Sequence, residues 1–187
     1  MSCDDCAGMR ELVDVRISFI VQNATDDDSK CHVDDGWQGP YGTADCLLDR
    51  YNLCALNLGT AGSKQDYAWF DFMVCTYRNQ AATTPKVPDD GKNAQRFSAT
   101  VDYCAAVAGV PAGPLRSCAQ DKALSTQLLQ ASHATDLASN TNVDADGHHH
   151  PTWVQIAGAT NANASDWLRA ICAEVPVASQ PVICATA

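Results

Sequence analysis

The residues of this sequence best suited to chemistry are two cysteines near its start, Cys3 and Cys6, which are separated by Asp4 and Asp5. Cysteines with this spacing form a reducible disulfide when the first lies at a helix N-terminus, where backbone amides and the helix dipole stabilise a thiolate. The thiolate attacks a substrate disulfide, and the second cysteine then resolves the mixed disulfide and releases the reduced product. We therefore predict that Cys3 is the nucleophile and Cys6 the resolving cysteine of a catalytic dithiol.

A structural disulfide is the alternative interpretation of the same pair, because a single CxxC motif in a cysteine-rich secreted chain often has that role. The negative charges of Asp4 and Asp5 disfavour a thiolate on Cys3 at neutral pH. Carboxylates are partly neutralised at acidic pH, so this objection to a catalytic dithiol is weaker in an acidic compartment.

The ten cysteines are spread over the whole chain. Zinc sites usually group their ligands in close pairs, and only Cys3 and Cys6 have that spacing. Dispersed cysteines in even number predict a disulfide framework formed in an oxidising compartment. The three consecutive histidines at 148–150 favour a solvated loop over a metal site, and we expect neither a metal nor an organic cofactor. The candidates for structural disulfides are Cys31, Cys46, Cys54, Cys75, Cys104, Cys118, Cys172 and Cys184.

The composition is typical of a globular protein, with 46% hydrophobic and 18% charged residues in a chain of 187. The formal net charge of −10 argues against a nucleic-acid partner, whose phosphates require Lys and Arg. No stretch approaches the roughly 18 uninterrupted apolar residues of a membrane helix, so we predict no membrane span.

Two N-x-S/T sequons, at Asn23 and Asn163, are candidate glycosylation sites and support a secretory location. We therefore expect the protein in the secretory pathway, in a lysosomal, luminal or extracellular setting. No signal peptide is visible before the CxxC motif, and we expect the sequence to begin inside a longer precursor.

The apolar pattern predicts strands at both ends and helices between them. Residues 13–21 alternate and then become wholly apolar, which predicts a strand. Helices are predicted from Thr43 to about Leu56, over 67–77, over 97–108 as far as Gly109, from Pro114 to about Ser132, and over 166–173. The segment 79–95 and the polar segment 134–147 are predicted as loops. Residues 151–158 predict a strand and turn that begin at Pro151, and this proline is expected to face the dithiol from the substrate side.

Several segments of the chain match the residue types and spacing of one protein family. They are Phe19–Ala24, Asp45-Cys46 with Cys54 eight residues later, Phe72–Cys75, Tyr103-Cys104, Ser117–Ala119, His149–Val154, and the C-terminal pair Cys172 and Cys184. Together with Cys3 and Cys6, they make the chain resemble the gamma-interferon-inducible lysosomal thiol reductase family over nearly its whole length. The chain departs from that pattern after Cys31, where the family's Gln and Gly are missing, and at Asp49, where the family has Asn.

The resemblance implies an α/β fold, a thioredoxin-like sheet with a helical, disulfide-rich insertion at about 43–132, within a single domain over 1–187. It also implies a thiol–disulfide oxidoreductase that reduces disulfide-bonded protein substrates through the CxxC dithiol, at acidic pH. Only two residues precede Cys3, so a strand of that sheet would be missing and a partner chain could cover the N-terminal sheet edge. The alternative is therefore a non-catalytic structural or interaction subunit of a larger assembly, stabilised by disulfides.

Overall fold

The structure, a computed structural model, describes residues 42–60, 67–79, 91–139, 154–156, 159–161 and 167–186. These residues divide into two compact units, one that extends to Ala138 and one that runs from Ser139 to the C-terminus. The strand predicted over 13–21 lies outside the described residues.

The first unit is a packed group of helices. Its elements are α1 (Gly42–Thr60), α2 (Ala68–Arg78), α3 (Asn93–Ala108), α4 (Ala112–Gln120) and α5 (Lys122–Ser139). Helix α1 packs on both α2 and α4, and α2 also packs on α3. The helices predicted from Thr43 and over 67–77 are confirmed, and the helix predicted over 97–108 is confirmed but begins earlier, at Asn93.

Helix α1 lies at the centre of this unit. Every residue from Leu48 to Ala55 is buried, so the helix meets neighbours around its full circumference rather than along one stripe. Cys46 and Leu53 of α1 form a buried cluster with Leu129 of α5, and the half-buried Met73 of α2 packs against it. Burying side chains of this size is the main stabilising contribution in such a core, about 1.5–3 kcal/mol for each large apolar side chain.

Helix α3 ends as predicted, at Gly109. This glycine has a φ of 74°, in the left-handed region that a residue without Cβ adopts at no steric cost. The amide of Gly109 donates to the carbonyl of Ala106, and the amide of Val110 donates to that of Ala105. This is the pairing of a Schellman motif, and the buried Val110 supplies the apolar contact that commonly accompanies it.

The single helix predicted from Pro114 to about Ser132 is wrong, because the structure has two helices joined at Asp121. Asp121 has extended backbone angles, and its side-chain Oδ1 accepts the amide hydrogen of Leu124 at 3.0 Å. It therefore acts as the N-cap of α5. Pro114 lies in the first turn of α4 rather than opening it, at a position where a missing N–H costs little. The loop predicted from 134 is also wrong in its first residues, because α5 continues to Ser139.

The second unit contains a short hairpin, a helix and two 3₁₀ turns. Strands β1 (Val154–Ile156) and β2 (Ala159–Asn161) pair antiparallel, with Val154 opposite Asn161. Helix α6 (Trp167–Glu174) follows, and the 3₁₀ turns cover Val177–Ser179 and Val182–Thr186. The predicted strand at 151–158 is therefore present as three described residues, and the predicted C-terminal helix is confirmed.

The predicted α/β, thioredoxin-like fold is wrong for the part of the chain that the structure describes. Helices dominate the described residues, and β1 pairs with the strand that follows it rather than joining a larger sheet. The helical segment predicted as an insertion over about 43–132 belongs instead to the main body of a helical, disulfide-rich protein, whose helices extend to Ser139 in the described residues. The predicted partner chain would cover the N-terminal sheet edge, which lies outside the described residues, so it stays a prediction. The single domain over 1–187 stays a prediction.

Candidate functional site

Three disulfides fasten the described helices. Cys54 of α1 bonds Cys118 of α4, and Cys75 of α2 bonds Cys104 of α3. In the second unit, Cys172 of α6 bonds Cys184 in the last 3₁₀ turn. The sequence predicted that all six are structural cysteines, and their pairing bears this out. The spacing of the cysteines alone could not give their connectivity, because the partners are 64, 29 and 12 residues apart.

The two bridges of the helical unit lie in or against its core. Cys54, Cys104 and Cys118 are buried, and Cys75 is half-buried. The Asn79 side-chain amide donates to the carbonyl of Cys75 and lies 3.7 Å from its Sγ. Each bridge joins two helices that also pack directly on one another, so packing and covalent bond support the same arrangement.

No described cysteine is available as a nucleophile. Cys46 is also disulfide-bonded, so all seven cysteines in the described ranges are committed to bridges. The three bridges for which both cysteines are described contain neither Cys3 nor Cys6. A cysteine that acts as a free-thiol nucleophile while these bridges stay closed must therefore come from outside the part of the chain that the structure describes.

The remaining predicted site residues lie outside the described residues. They are the dithiol cysteines Cys3 and Cys6, the structural candidate Cys31, the substrate-side Pro151, and the sequon residues Asn23 and Asn163. Their roles stay predictions. The distance between the dithiol and Pro151, on which the redox interpretation depends, is likewise a prediction.

A buried arginine joins α1 to α5 and was missed by the sequence reasoning. The Arg50 side chain is 0% exposed, and its Nη1 donates to Ser125 Oγ and Thr126 Oγ1, both at 3.0 Å. Arg is almost never fully buried unless it is paired. The sequence does contain a signal, because Arg50 lies among the apolar positions of α1. A charged residue on a helix is usually assigned to the solvent-facing side, so this position was not recognised as buried.

An aromatic and charged group lies where α1, α3 and α4 meet. The ring of Tyr51 packs against Phe97, with centroids 5.7 Å apart. Arg116 of α4 forms an ion pair with Asp102 of α3, and both side chains are partly exposed. Burial raises the pKa of Tyr51 above its ordinary value of 10.0; nearby Arg116 lowers this pKa and Asp102 raises it. The phenol is therefore neutral at physiological and acidic pH, and the group is structural in character.

Two further properties bear on the kind of site. Within the described ranges, no group of three or more His, Cys, Asp and Glu side chains could hold a metal ion. None of the helices described here has both the length and the apolar character needed to cross a membrane. The described bridges are the kind of bond that forms and persists in an oxidising compartment.

Comparisons with known proteins give no further identification. No protein-family model matches the chain, and neither a curated protein nor a solved structure matches it.

Proposed function

We propose that this protein is a thiol–disulfide oxidoreductase that reduces protein disulfides through Cys3 and Cys6. The observation that carries the proposal is that all seven described cysteines are already bonded. The single CxxC motif of the chain is then the pair left for redox cycling.

The proposal requires a particular disulfide partner for Cys46. Its bonding partner is none of the other six described cysteines, because those six pair with one another. For Cys3 and Cys6 to cycle as a pair, Cys46 must bond Cys31. Peptide mapping of the oxidised protein under non-reducing conditions tests this directly, and a bridge from Cys46 to Cys3 or Cys6 would contradict the proposal.

The proposed reaction transfers two electrons from the dithiol to the substrate. The Cys3 thiolate bonds one sulfur of the substrate disulfide, and the other sulfur leaves as a thiolate that takes a proton from solvent. The Cys6 thiolate then attacks Cys3, the Cys3–Cys6 disulfide forms, and the second substrate sulfur leaves. No organic cofactor takes part, and an external thiol must reduce the dithiol again before the next turnover.

The family resemblance supports the activity through the order and spacing of the cysteines, although the sheet that it implied is wrong. We propose a secretory-pathway location, in a lysosome, a lumen or the extracellular space, with glycans at Asn23 and Asn163. The described disulfides and the acidic composition support this location. Disulfide-bonded proteins would be the substrates.

Trapping of the mixed disulfide tests the activity. The Cys6→Ser variant, incubated with a denatured disulfide-bonded protein, should accumulate a covalent adduct through Cys3 that a reducing agent releases. The matched control is Cys3→Ser, which keeps one thiol in the motif but should form far less adduct. Both variants are assayed at acidic and at neutral pH. Equal adduct from the two variants, or none at either pH, would reject the assigned roles.

A second candidate function is a non-catalytic subunit of a larger assembly. The outer face of α3 favours it, because Tyr103 is 59% exposed and Val107, one turn later, is 64% exposed. Aromatic side chains such as that of Tyr103 are enriched in protein interfaces. Reductase turnover by the isolated wild-type protein, at a rate abolished by Cys3→Ser, would count against this candidate. A stable stoichiometric partner together with absent turnover would favour it.

A further inference from the structure

The disulfide between Cys172 and Cys184 closes a loop that contains most of the C-terminal segment from Val175 to Thr186. Cys172 lies buried on α6, and Cys184 is half-buried in the last 3₁₀ turn. The bridge spans 12 residues, the shortest separation of the three described bridges. Between its ends the chain makes two tight turns after Pro176 and Pro181.

This segment buries little of itself. Residues 176–179 are all exposed, and the apolar side chains of Val177 and Val182 are 85% and 77% exposed. Val175, at the start of the segment, is buried. A segment with this exposure gains little from the hydrophobic effect, so its order depends on specific tethers.

Gln180 provides a tether besides the disulfide. Its Nε2 donates to the carbonyl of Cys172 at 2.8 Å and to that of Val175 at 3.0 Å, which ties the middle of the loop to the end of α6. The amides of Ser179 and Cys184 close the two turns by donating to Pro176 and Pro181. These hydrogen bonds join residues that are close in sequence, within a loop that solvent reaches. Water there competes for the same donors and acceptors.

We propose that the Cys172–Cys184 disulfide is a redox-sensitive latch, whose reduction releases the segment from Val175 to Thr186 while the helical unit stays folded. The contrast with the other bridges carries this inference. Cys54–Cys118 has both ends buried, so a reductant reaches it only after local unfolding. Cys75–Cys104 joins α2 and α3, which also pack directly on each other, so we expect these helices to stay together when the bond opens.

The latch opens by thiol–disulfide exchange with a small dithiol. A thiolate of the reductant bonds the Cys184 Sγ, the Cys172–Cys184 bond breaks, and Cys172 leaves as a thiolate that is protonated by solvent. The second thiolate of the reductant displaces Cys184, and the reductant is released as its cyclic disulfide. Two electrons pass to the bridge. The proposal does not depend on the activity assigned to Cys3 and Cys6.

Differential alkylation measures the order of opening. The oxidised protein is treated with limiting dithiothreitol, quenched with a maleimide at increasing times, and mapped by mass spectrometry. We expect Cys172 and Cys184 to be alkylated at least about tenfold faster than Cys54 and Cys118, because a reductant can attack the half-buried Cys184 directly, whereas Cys54 and Cys118 are both buried and need local unfolding. Simultaneous opening, or earlier opening of Cys54–Cys118, would overturn the proposal.

A second measurement separates release from mere reduction. Hydrogen exchange is compared between wild type and a variant carrying both Cys172→Ser and Cys184→Ser, which leaves neither cysteine of this bridge as an unpaired thiol. Amides of 177–186 should exchange at rates close to those of an unstructured peptide, while amides of α1 keep wild-type protection. The matched control carries Cys75→Ser and Cys104→Ser and should leave exchange in 177–186 unchanged. Wild-type protection of 177–186 in the first variant would show that other contacts order the segment.

Discussion

Replacement of Arg50 tests whether one buried charge fastens α5 to the centre of the helical unit. The Arg50→Met variant keeps most of the side-chain volume but removes the guanidinium. It loses two N–H···O bonds at 3.0 Å, to Ser125 and Thr126. Hydrogen bonds from a charged donor contribute about 1.5–3 kcal/mol each, which gives about 3–6 kcal/mol for the pair.

Two effects reduce that loss. The variant no longer pays for burying an ion, a desolvation cost of several kcal/mol. The freed hydroxyls of Ser125 and Thr126 can turn toward carbonyls one turn earlier in α5, since Ser and Thr commonly bond in this way within a helix. We therefore expect Arg50→Met to lower the free energy of unfolding by about 1–3 kcal/mol. Arg50→Ala, which also leaves a cavity, should cost about 3–5 kcal/mol.

Urea unfolding followed by far-ultraviolet circular dichroism, without reductant, measures both variants. Ser125→Ala supplies a control, and the double variant with Arg50→Met completes a double-mutant cycle. A coupling energy of about 0.5–2 kcal/mol is expected for a pair in direct contact. A coupling near zero, with Arg50→Met as stable as wild type, would refute the view that this guanidinium holds α1 and α5 together.

Three smaller perturbations test single features. Asp121→Ala removes the cap of α5 and should cost about 0.5–2 kcal/mol in urea unfolding, whereas Asp121→Asn should cost much less. Gly109→Ala forces a Cβ into a left-handed residue with φ of 74° and should cost about 1 kcal/mol, although nothing crowds the added atom. Because burial raises the folded-state pKa of Tyr51, its stabilising contribution is full below the unfolded pKa of 10.0 and is lost as pH rises through the folded pKa. Tyr51→Phe should flatten the alkaline fall of stability, as measured by urea unfolding at a series of pH values.

The helices of the central unit could be predicted because their signals are local. The apolar spacing after Thr43 and the apolar run over 67–77 gave two helices close to their observed bounds, and Gly109 marked the end of a third. The capping role of Asp121 was not predicted, because it depends on the extended backbone conformation of this residue. An Asp between two helical patterns is equally compatible with an unbroken helix, so the sequence did not separate α4 from α5.

The features that depend on tertiary contacts could not be predicted in the same way. The pairing of Cys54 with Cys118 requires two helices 64 residues apart to meet, and the spacing of cysteines does not encode this. The pairing of the buried Arg50 was missed for the same reason, since the hydroxyls that accept its hydrogen bonds lie on α5. The error in fold class came from the family resemblance, which implied a thioredoxin-like sheet, and from assigning to that sheet the strand predicted over 151–158. Its described residues pair with the strand that follows, and the helices are the main body.

Loop closure alone does not explain why the three described bridges should respond differently to reduction. By the chain-entropy relation, bridges across 12, 29 and 64 residues contribute about 2.8, 3.6 and 4.3 kcal/mol respectively. That spread is small beside the effect of burial, which requires part of the core to open before a thiol can reach Cys54 or Cys118. Of the three described bridges, Cys54–Cys118 closes the longest loop and is therefore the costliest to lose, because about 4.3 kcal/mol is a large share of the roughly 5–15 kcal/mol that holds a typical domain folded. Reduction should therefore proceed from the exposed C-terminal loop inward, and the helical unit should unfold only when the bridge between α1 and α4 is broken.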